Sequence, residues 1–278
     1  MFSLTLLTLF PGIGAAIATH LATKGCNLVL NYTSSSSTTI AADLAQSLSS
    51  THSITILPVQ ADIGTSEGAA KLISETKSKF TSSSSSGKFQ IDIIINNAGI
   101  AQNAWLKDVT IPQFEETYRV NVLGPLLLVQ AAEEYLPTDR SGRIINLSSV
   151  SSSTGFVTQS VYGGSKAAIE AMTRTWSREL AERATVNAIN PGPVEGPMYA
   201  SNSPEFLAGI KGWIMHTPLM AARPGVDSEE ALKEAEEGGG RLAKVGEIAG
   251  IVGMLCSEDA AWCTGQVVCA NGGMVMLH

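Results

Sequence analysis

The sequence predicts an α/β protein built on one doubly wound, all-parallel sheet. Short and almost wholly apolar runs, typical of strands buried on both faces, alternate with longer segments of helical periodicity. Repeated alternation of strand and helix is typical of parallel sheets that are covered by helices on both sides. Polar and glycine-rich motifs follow several of the strands, at the carboxyl ends where such sheets bind ligands.

The alternation continues along the chain without a shift in composition, so a single domain over residues 1–278 is expected. Gly25 is placed to end the first helix, and the serine run 82–86 is predicted to be a flexible loop. The predicted strands are residues 4–7, 27–31, 54–60, 91–95, 144–147 and 266–269. The predicted helices are residues 15–23, 40–48, 66–80, 112–121, 123–135, 167–180 and 247–256.

Composition argues against several classes of function. The chain has 18 basic and 25 acidic residues, a net charge of −7 and no basic run, so nucleic acid is not an expected partner. Its four cysteines form no Cys-x-x-Cys pair, which favours free thiols in a reducing, cytoplasmic compartment, and the scattered histidines predict no metal site. No apolar run is long enough to span a membrane. The apolar residues 1–10 are interpreted as a first strand rather than a secretory segment, because no basic residue precedes them.

Three polar residues in the middle of the chain predict acid–base chemistry. Ser149 follows the strand 144–147, while Tyr162 and Lys166 lie four residues apart at the start of a helical pattern. A four-residue offset places two side chains on one face of a helix, so the Lys166 ammonium can approach the Tyr162 phenol. A nearby cation lowers the pKa of a phenol from about 10, which suits Tyr162 for proton transfer to or from a substrate oxygen. Ser149 is expected to hydrogen-bond the same oxygen.

These residues and their spacing resemble the catalytic signature of the short-chain dehydrogenase/reductase family, whose fold is of the Rossmann type. The resemblance covers roughly residues 12–273. It implies reduction of a ketone or aldehyde to an alcohol, and a role for Asn121 in linking Lys166, through a water, into a proton relay. Similarity to 3-oxoacyl-carrier-protein reductases and to fungal ketoreductases suggests a place in secondary-metabolite biosynthesis.

The first glycine turn departs from the family pattern. Gly12-Ile13-Gly14 matches the end of that turn, where backbone N–H groups meet a pyrophosphate at a helix N-terminus. Thr8 is aligned with the first glycine of the family, and Pro11 removes a backbone donor. Two explanations stay open: the protein binds its dinucleotide poorly or not at all, or the first eleven residues misrepresent the native start. The first explanation leaves an alternative function, that of a redox-inactive family member that binds a ligand or catalyses a cofactor-free isomerisation or cyclisation.

Other segments resemble the cofactor contacts of the family. An acidic residue at the end of the second strand would select NAD, whereas this strand ends in uncharged side chains that tolerate a 2′-phosphate, so NADP (NADPH) is favoured over NAD. Gly196 stands where the family often has a threonine. The expected cofactor contacts are Gly12, Ile13, Gly14, Asn31, Tyr32, Thr33, Ser34, Asp62, Ile63, Asn97, Ala98, Gly99, Tyr162, Lys166, Pro191, Gly192 and Val194.

Residues 194–244 are the least regular segment, and they correspond to the lid that covers the substrate in this family. This segment is rich in methionine and aromatic residues, which favours a hydrophobic small-molecule carbonyl or alcohol as the substrate, with ordinary packing as the alternative. The resemblance also implies a homotetramer or homodimer, held together by the helices around residues 112–135 and by the helix after Tyr162.

Overall fold

The computed structural model describes residues 4–8, 12–81 and 89–276. The strands found there are Leu4–Thr8 (β1), Asn27–Tyr32 (β2), Ile56–Gln60 (β3), Ile93–Asn96 (β4), Gly142–Leu147 (β5), Ala184–Ile189 (β6) and Val267–Val268 (β7). They form one all-parallel sheet in the order β3-β2-β1-β4-β5-β6-β7. The strand order reverses between β1 and β4, which opens a crevice at the carboxyl edge of the sheet. The predicted α/β fold with a doubly wound parallel sheet is confirmed.

Helices cover both faces of this sheet. Successive residues of a strand point to opposite faces, so Leu6 and Leu7 belong to two different hydrophobic cores. The helices of the described residues are Ile13–Thr23 (α1), Thr38–His52 (α2), Ser66–Thr81 (α3), Ile111–Tyr118 (α4), Gly124–Ala132 (α5), Ser151–Thr154 (α6), Ser160–Glu179 (α7), Pro197–Ala200 (α8), Pro204–Met215 (α9), Glu229–Gly238 (α10) and Val245–Leu255 (α11). Helices α1, α2 and α11 pack on the Leu7 side, and α3, α5 and α7 pack on the Leu6 side.

Several features were not predicted from the sequence patterns. They include strand β6, helix α9, the short helices α6 and α8, and a π-helical turn at Arg119–Leu123 that joins α4 to α5. The π-helical turn contains Asn121, and such turns occur frequently at functional sites. The predicted serine loop at 82–86 lies outside the described residues.

Residues 194–244 leave the body of the fold and return to it at one neck. Val194 and Ala243 form a parallel bridge there, and the side chains of Glu195 and Lys244 form an ion pair at 3.0 Å. Helices α8, α9 and α10 lie between these two ends. The apolar side chains of Ile210, Ile214 and Met220 in this segment pack together in a small core that also includes Val150 from the body of the fold. A lid function for the segment stays a prediction.

Thr8, the last residue of β1, is buried and braces the end of β4. Its hydroxyl accepts hydrogen bonds from the backbone N–H groups of Asn97 at 2.8 Å and Ala98 at 2.7 Å, and donates to the carbonyl of Ile95 at 3.3 Å. The side chain is thus directed at β4. The alignment of Thr8 with the first glycine of the family turn stays a prediction. Pro11 lies outside the described residues.

We expect the Thr8→Val variant to lower the free energy of unfolding by about 2 kcal/mol, because the partly buried Ala98 N–H loses its acceptor and the Asn97 N–H keeps only the Ile95 carbonyl. Chemical denaturation followed by circular dichroism measures this loss. Thr8→Ser is the matched control, since it keeps the hydroxyl. A Val variant as stable as the Ser variant would show that the hydroxyl does not stabilise this edge.

Candidate active site

The structure brings Ser149, Tyr162 and Lys166 together at the carboxyl edge of the sheet, in the lining of one cavity of about 180 Å³. Ser149 lies two residues beyond the end of β5, and the other two residues lie in the first two turns of α7. The Lys166 ammonium donates a hydrogen bond of 2.7 Å to the carbonyl of Leu147, the last residue of β5. This bond fixes the helix that carries Tyr162 against the strand that precedes Ser149.

The Tyr162 phenol is buried next to the Ser149 hydroxyl. Burial raises the pKa of Tyr162, and the hydrogen bond with Ser149 acts in the opposite direction. The Ser149 hydroxyl is itself oriented by α6, because the Ser151 backbone N–H donates to it at 3.2 Å. A phenol with a raised pKa is protonated near neutral pH, which suits it to donate a proton. The lowered pKa expected for Tyr162 from the sequence is therefore not found, because burial outweighs the hydrogen bond and the net shift is upward.

Lys166 is a buried cation whose Nζ lies 5.7 Å from the centre of the Tyr162 ring. Burial lowers the pKa of Lys166 to about 8, and the nearby Glu170 carboxylate opposes this shift. Glu170 is buried one helical turn further along α7, where it accepts hydrogen bonds from Ser148 at 2.6 Å and Ser152 at 2.7 Å. Glu170 was not predicted as part of the site. Its offset of four residues from Lys166 is the sequence signal that places it there.

Asn121 lies beside Lys166, with its carboxamide held by the protein. It accepts from the backbone N–H of Ile100 and donates to the Ile100 carbonyl, both at 2.9 Å, and also donates to the Ser165 hydroxyl at 3.0 Å. Gly99 separates Asn121 from Lys166: a Cβ at Gly99 would lie 3.2 Å from the Lys166 Nζ and 3.4 Å from the Asn121 Oδ1. The predicted water relay through Asn121 stays a prediction.

The predicted anion site lies at the N-terminus of α1, in the same cavity. Gly12, Ile13 and Gly14 line the cavity, and the first turn of α1 carries no acidic residue to repel a phosphate. Gly12 has φ of 101°, a conformation that favours glycine, and nothing lies within 4 Å of the position of a Cβ there. The free N–H groups of this helix end form a donor set that fits a pyrophosphate.

The end of β2 presents hydroxyls without a carboxylate. Thr33 and Ser34 are exposed, and the Ser34 hydroxyl accepts from the Ser36 backbone N–H at 3.2 Å. Asn31 and Tyr32 are buried. The Asn31 amide donates to the carbonyls of Val59 and Ala61, so this side chain also braces β3.

Asp62 follows β3 and is paired within the protein. Its carboxylate accepts from Arg119 at 2.8 Å and from the backbone N–H of Gly64 at 3.0 Å, and Ile63 beside it is buried in the core. Arg119, which the sequence did not single out, also pairs with Glu116 at 2.7 Å. An adenine contact of Asp62 stays a prediction.

The segment after β6 closes the cavity on the nicotinamide side of the predicted site. Pro191, Gly192 and Val194 line the cavity, and the buried Asn190 Nδ2 has no hydrogen-bond partner. Gly196 has φ of 135°, so this backbone conformation favours glycine over the threonine found in the family pattern.

The remaining cavity wall combines apolar and amide side chains. Met198, Tyr199 and Phe206, which the sequence placed in the lid, line it together with Phe156 and Ile210. Trp213 and Met215 of the same segment are exposed, while Ile214 and Met220 are buried in the core that the segment shares with Val150. Sequence reasoning missed the amide residues Gln159 and Asn202 of this wall. Gln159 lies three residues before Tyr162, and that spacing was the available signal.

The chain belongs to the short-chain dehydrogenase family: the model of that family, described as "short chain dehydrogenase", matches residues 8–206. The chain is 54% identical to an L-xylulose reductase of Aspergillus niger, over 95% of this chain and 93% of the relative. It is 47% identical to an L-xylo-3-hexulose reductase of Hypocrea jecorina, with the same shares of both chains covered. The protein is an oxidoreductase of this family that uses a nicotinamide cofactor to reduce a carbonyl group, and the relatives do not support the redox-inactive alternative.

Solved structures agree with this assignment. The angucycline C-6 ketoreductase LanV with bound NADP matches with a TM-score of 0.80 at 28% identity, over 98% of this chain and 95% of that chain. A blue fluorescent protein from a metagenomic library, in complex with NADPH, matches with a TM-score of 0.79 at 28% identity, over 99% of this chain and 98% of that chain. No helix of the described residues is long and apolar enough to cross a membrane. No group of His, Cys, Asp and Glu side chains in the described residues is arranged to hold a metal ion.

We expect the rate of carbonyl reduction to fall as the pH rises through about 8, because Lys166 is cationic below its pKa and neutral above it. The Tyr162 phenol, whose pKa is raised, loses its proton only at higher pH. Initial rates at saturating substrate and cofactor, from about pH 6 to pH 10, measure this.

The Lys166→Arg variant is the control for this pH dependence, since a guanidinium keeps its charge throughout the range. The residual activity of the variant should lack the fall near pH 8. The same fall in both proteins would assign it to a different group.

Proposed function

We propose that this protein reduces the ketone group of a polyhydroxylated small molecule, with NADPH as the electron donor. The observation that carries the proposal is the convergence of Ser149, Tyr162 and Lys166 with the glycine turn in one cavity. The substrate class is supported by two relatives at 54% and 47% identity that are named reductases of ketoses, L-xylulose and L-xylo-3-hexulose.

The geometry supports the following roles for the residues. A nicotinamide held beside Pro191, Gly192 and Val194 would supply hydride to the carbonyl carbon. Tyr162 donates its proton to the carbonyl oxygen, and Ser149, already hydrogen-bonded to that phenol, holds the same oxygen. Lys166 stabilises the phenolate that remains, because a nearby cation favours the charged form of a phenol. Asn121 connects this cation to water and so returns the proton.

The preference for NADPH rests on the end of β2. Thr33 and Ser34 are exposed hydroxyls at the position where a carboxylate would repel a 2′-phosphate. The two solved relatives in complex with NADPH or NADP are consistent with this choice. Gly12, Ile13 and Gly14 would hold the pyrophosphate, with Asp62, Asn97 and Gly192 along the remainder of the cofactor.

A bulky apolar ketone is the second candidate substrate. The cavity wall formed by Phe156, Met198 and Phe206 favours it, and a versicolorin reductase of Aspergillus parasiticus is 31% identical over 94% of this chain. In this reading the segment 194–244 acts as a lid that encloses the apolar substrate.

We also propose that the protein is cytoplasmic and forms a homodimer or homotetramer. All four cysteines are unpaired, as expected in a reducing compartment. Large apolar side chains on and beside α4, among them Ile111, Phe114 and Leu123, are exposed and would be covered by a second copy.

Purified protein should oxidise NADPH in the presence of a ketopentose, and the Tyr162→Phe variant should lower kcat by about 10²- to 10⁴-fold because the proton donor is lost. Tyr199→Phe is the matched control, since Tyr199 lines the same cavity and should leave kcat within about twofold. A folded wild-type protein that turns over no ketose, apolar ketone or aldehyde would refute the proposed function.

The cofactor preference has its own test. A Thr33→Asp substitution should weaken NADPH binding about tenfold or more and leave NADH binding nearly unchanged, because the carboxylate repels the 2′-phosphate. Ser47→Asp, at an exposed position more than two turns into α2, adds the same charge as a control. Calorimetric titration gives both affinities. Equal affinities of the wild-type protein for NADH and NADPH would contradict the assigned preference.

A further inference from the structure

Gln159, immediately before α7, presents a buried acceptor without a partner in the active-site cavity. The residue is only 8% exposed and lines the cavity, and its Oε1 has no hydrogen-bond partner. Its backbone is held on both sides, by the hydrogen bonds from the Gly163 N–H to its carbonyl and from its own N–H to Phe156. A buried unpaired acceptor destabilises the protein unless something donates to it.

The orientation of the Gln159 carboxamide is determined by a chain of amides that ends on backbone carbonyls. Asn202 Nδ2 lies 3.2 Å from the Met198 carbonyl and 2.9 Å from the Tyr199 carbonyl, and carbonyls only accept. The Asn202 Oδ1 must therefore accept from Asn103 Nδ2, at 2.9 Å.

The same argument determines the orientation of the Gln159 carboxamide. With its Nδ2 already donating, Asn103 offers its Oδ1, which accepts from Gln159 Nε2 at 3.2 Å. The Gln159 Oε1 is left as the free end of the chain. These hydrogen bonds connect Asn202, within the segment 194–244, to Gln159 at the start of α7. The position of that segment therefore determines which side-chain atom of Gln159 has no hydrogen-bond partner.

We propose that Gln159 is a specificity-determining residue that accepts a hydrogen bond from a hydroxyl of the substrate. The inference rests on the proposed reduction of a ketone at Tyr162. An amide oxygen is an acceptor only, so its ligand must carry a donor, and a hydroxyl beside a ketone is such a donor. Gln159 precedes Tyr162 by three residues and lines the same cavity, so this acceptor lies near the proton donor of the proposed reaction.

This acceptor makes the protein select hydroxylated ketones over their deoxy analogues. A site built to hydrogen-bond a substrate hydroxyl discriminates strongly against an analogue that lacks it, because its own polar group then stays unpaired. The apolar wall of Phe156 and Phe206 on the same cavity does not discriminate in this way. An ordered water on the Gln159 Oε1 would satisfy the acceptor and give no such selection.

The test compares a ketopentose with pentane-2,3-dione, which has five carbons and no hydroxyl, using the full-length protein and NADPH. Gln159→Met, close in shape and without polar atoms, should lower kcat/KM for the ketopentose about tenfold or more, mainly through KM. The value for pentane-2,3-dione should stay within about twofold of wild type. Asn103→Ala, which frees the carboxamide to turn, should cause a smaller loss for the ketopentose alone.

Gln130→Met, at an exposed position of α5, is the matched control and should change neither value. A parallel loss for both substrates in Gln159→Met, or no loss for either, overturns the proposal, and a thermal melt of each variant shows whether it is folded. If the wild-type protein reduces the dione but does not prefer the ketopentose, hydroxyl recognition is wrong and the reductase function stands. If it reduces neither, both the reductase function and the hydroxyl recognition are wrong.

Discussion

The hydrogen bond from the Lys166 ammonium to the Leu147 carbonyl holds the active site together. It joins α7, which carries Tyr162, to the end of β5, which leads to Ser149. Both ends of the bond are buried, so the cation is held away from water and the pKa of Lys166 falls to about 8. Glu170, on the next turn of α7, compensates part of that burial and also hydrogen-bonds Ser148 and Ser152. The position of α7 against β5 and the environment of the Lys166 charge therefore depend on the same hydrogen bond.

The residues around the Lys166 ammonium leave room for it and hold polar groups next to it. Gly99 leaves room for the Lys166 Nζ, where a Cβ would lie at 3.2 Å, and Asn121 is held beside it by Ile100 and Ser165. The π-helical turn around Asn121 departs from regular helix at the place where its side chain faces the site. On the substrate side, the cavity wall combines aromatic side chains with the amides of Gln159 and Asn202. A polyhydroxylated ketone has an apolar carbon skeleton and hydroxyl donors, and such a wall can accommodate both.

Predictions from the sequence succeeded where a feature is local and periodic. The parallel sheet, the strand ends that carry Asn97 and Ser149, and the one-turn offset of Tyr162 and Lys166 all follow from short-range patterns. They failed where the environment decides. β6 pairs with β5 and β7 in the interior, and α6 is a single turn in a serine-rich stretch. The side chain of Thr8 faces Asn97 and Ala98, which are nearly ninety residues away in the chain.

The sequence by itself determined the fold class and the family, because strand and helix periodicity and the Ser149-Tyr162-Lys166 spacing are properties of neighbouring residues. Only the tertiary structure decided what surrounds those three residues. The burial of Lys166, its bond to Leu147 and the free acceptor on Gln159 depend on segments far apart in the chain that meet at the carboxyl edge of the sheet. Hydrogen-bond direction and desolvation depend on these contacts between distant segments, and the pattern of residues along the sequence does not specify such contacts.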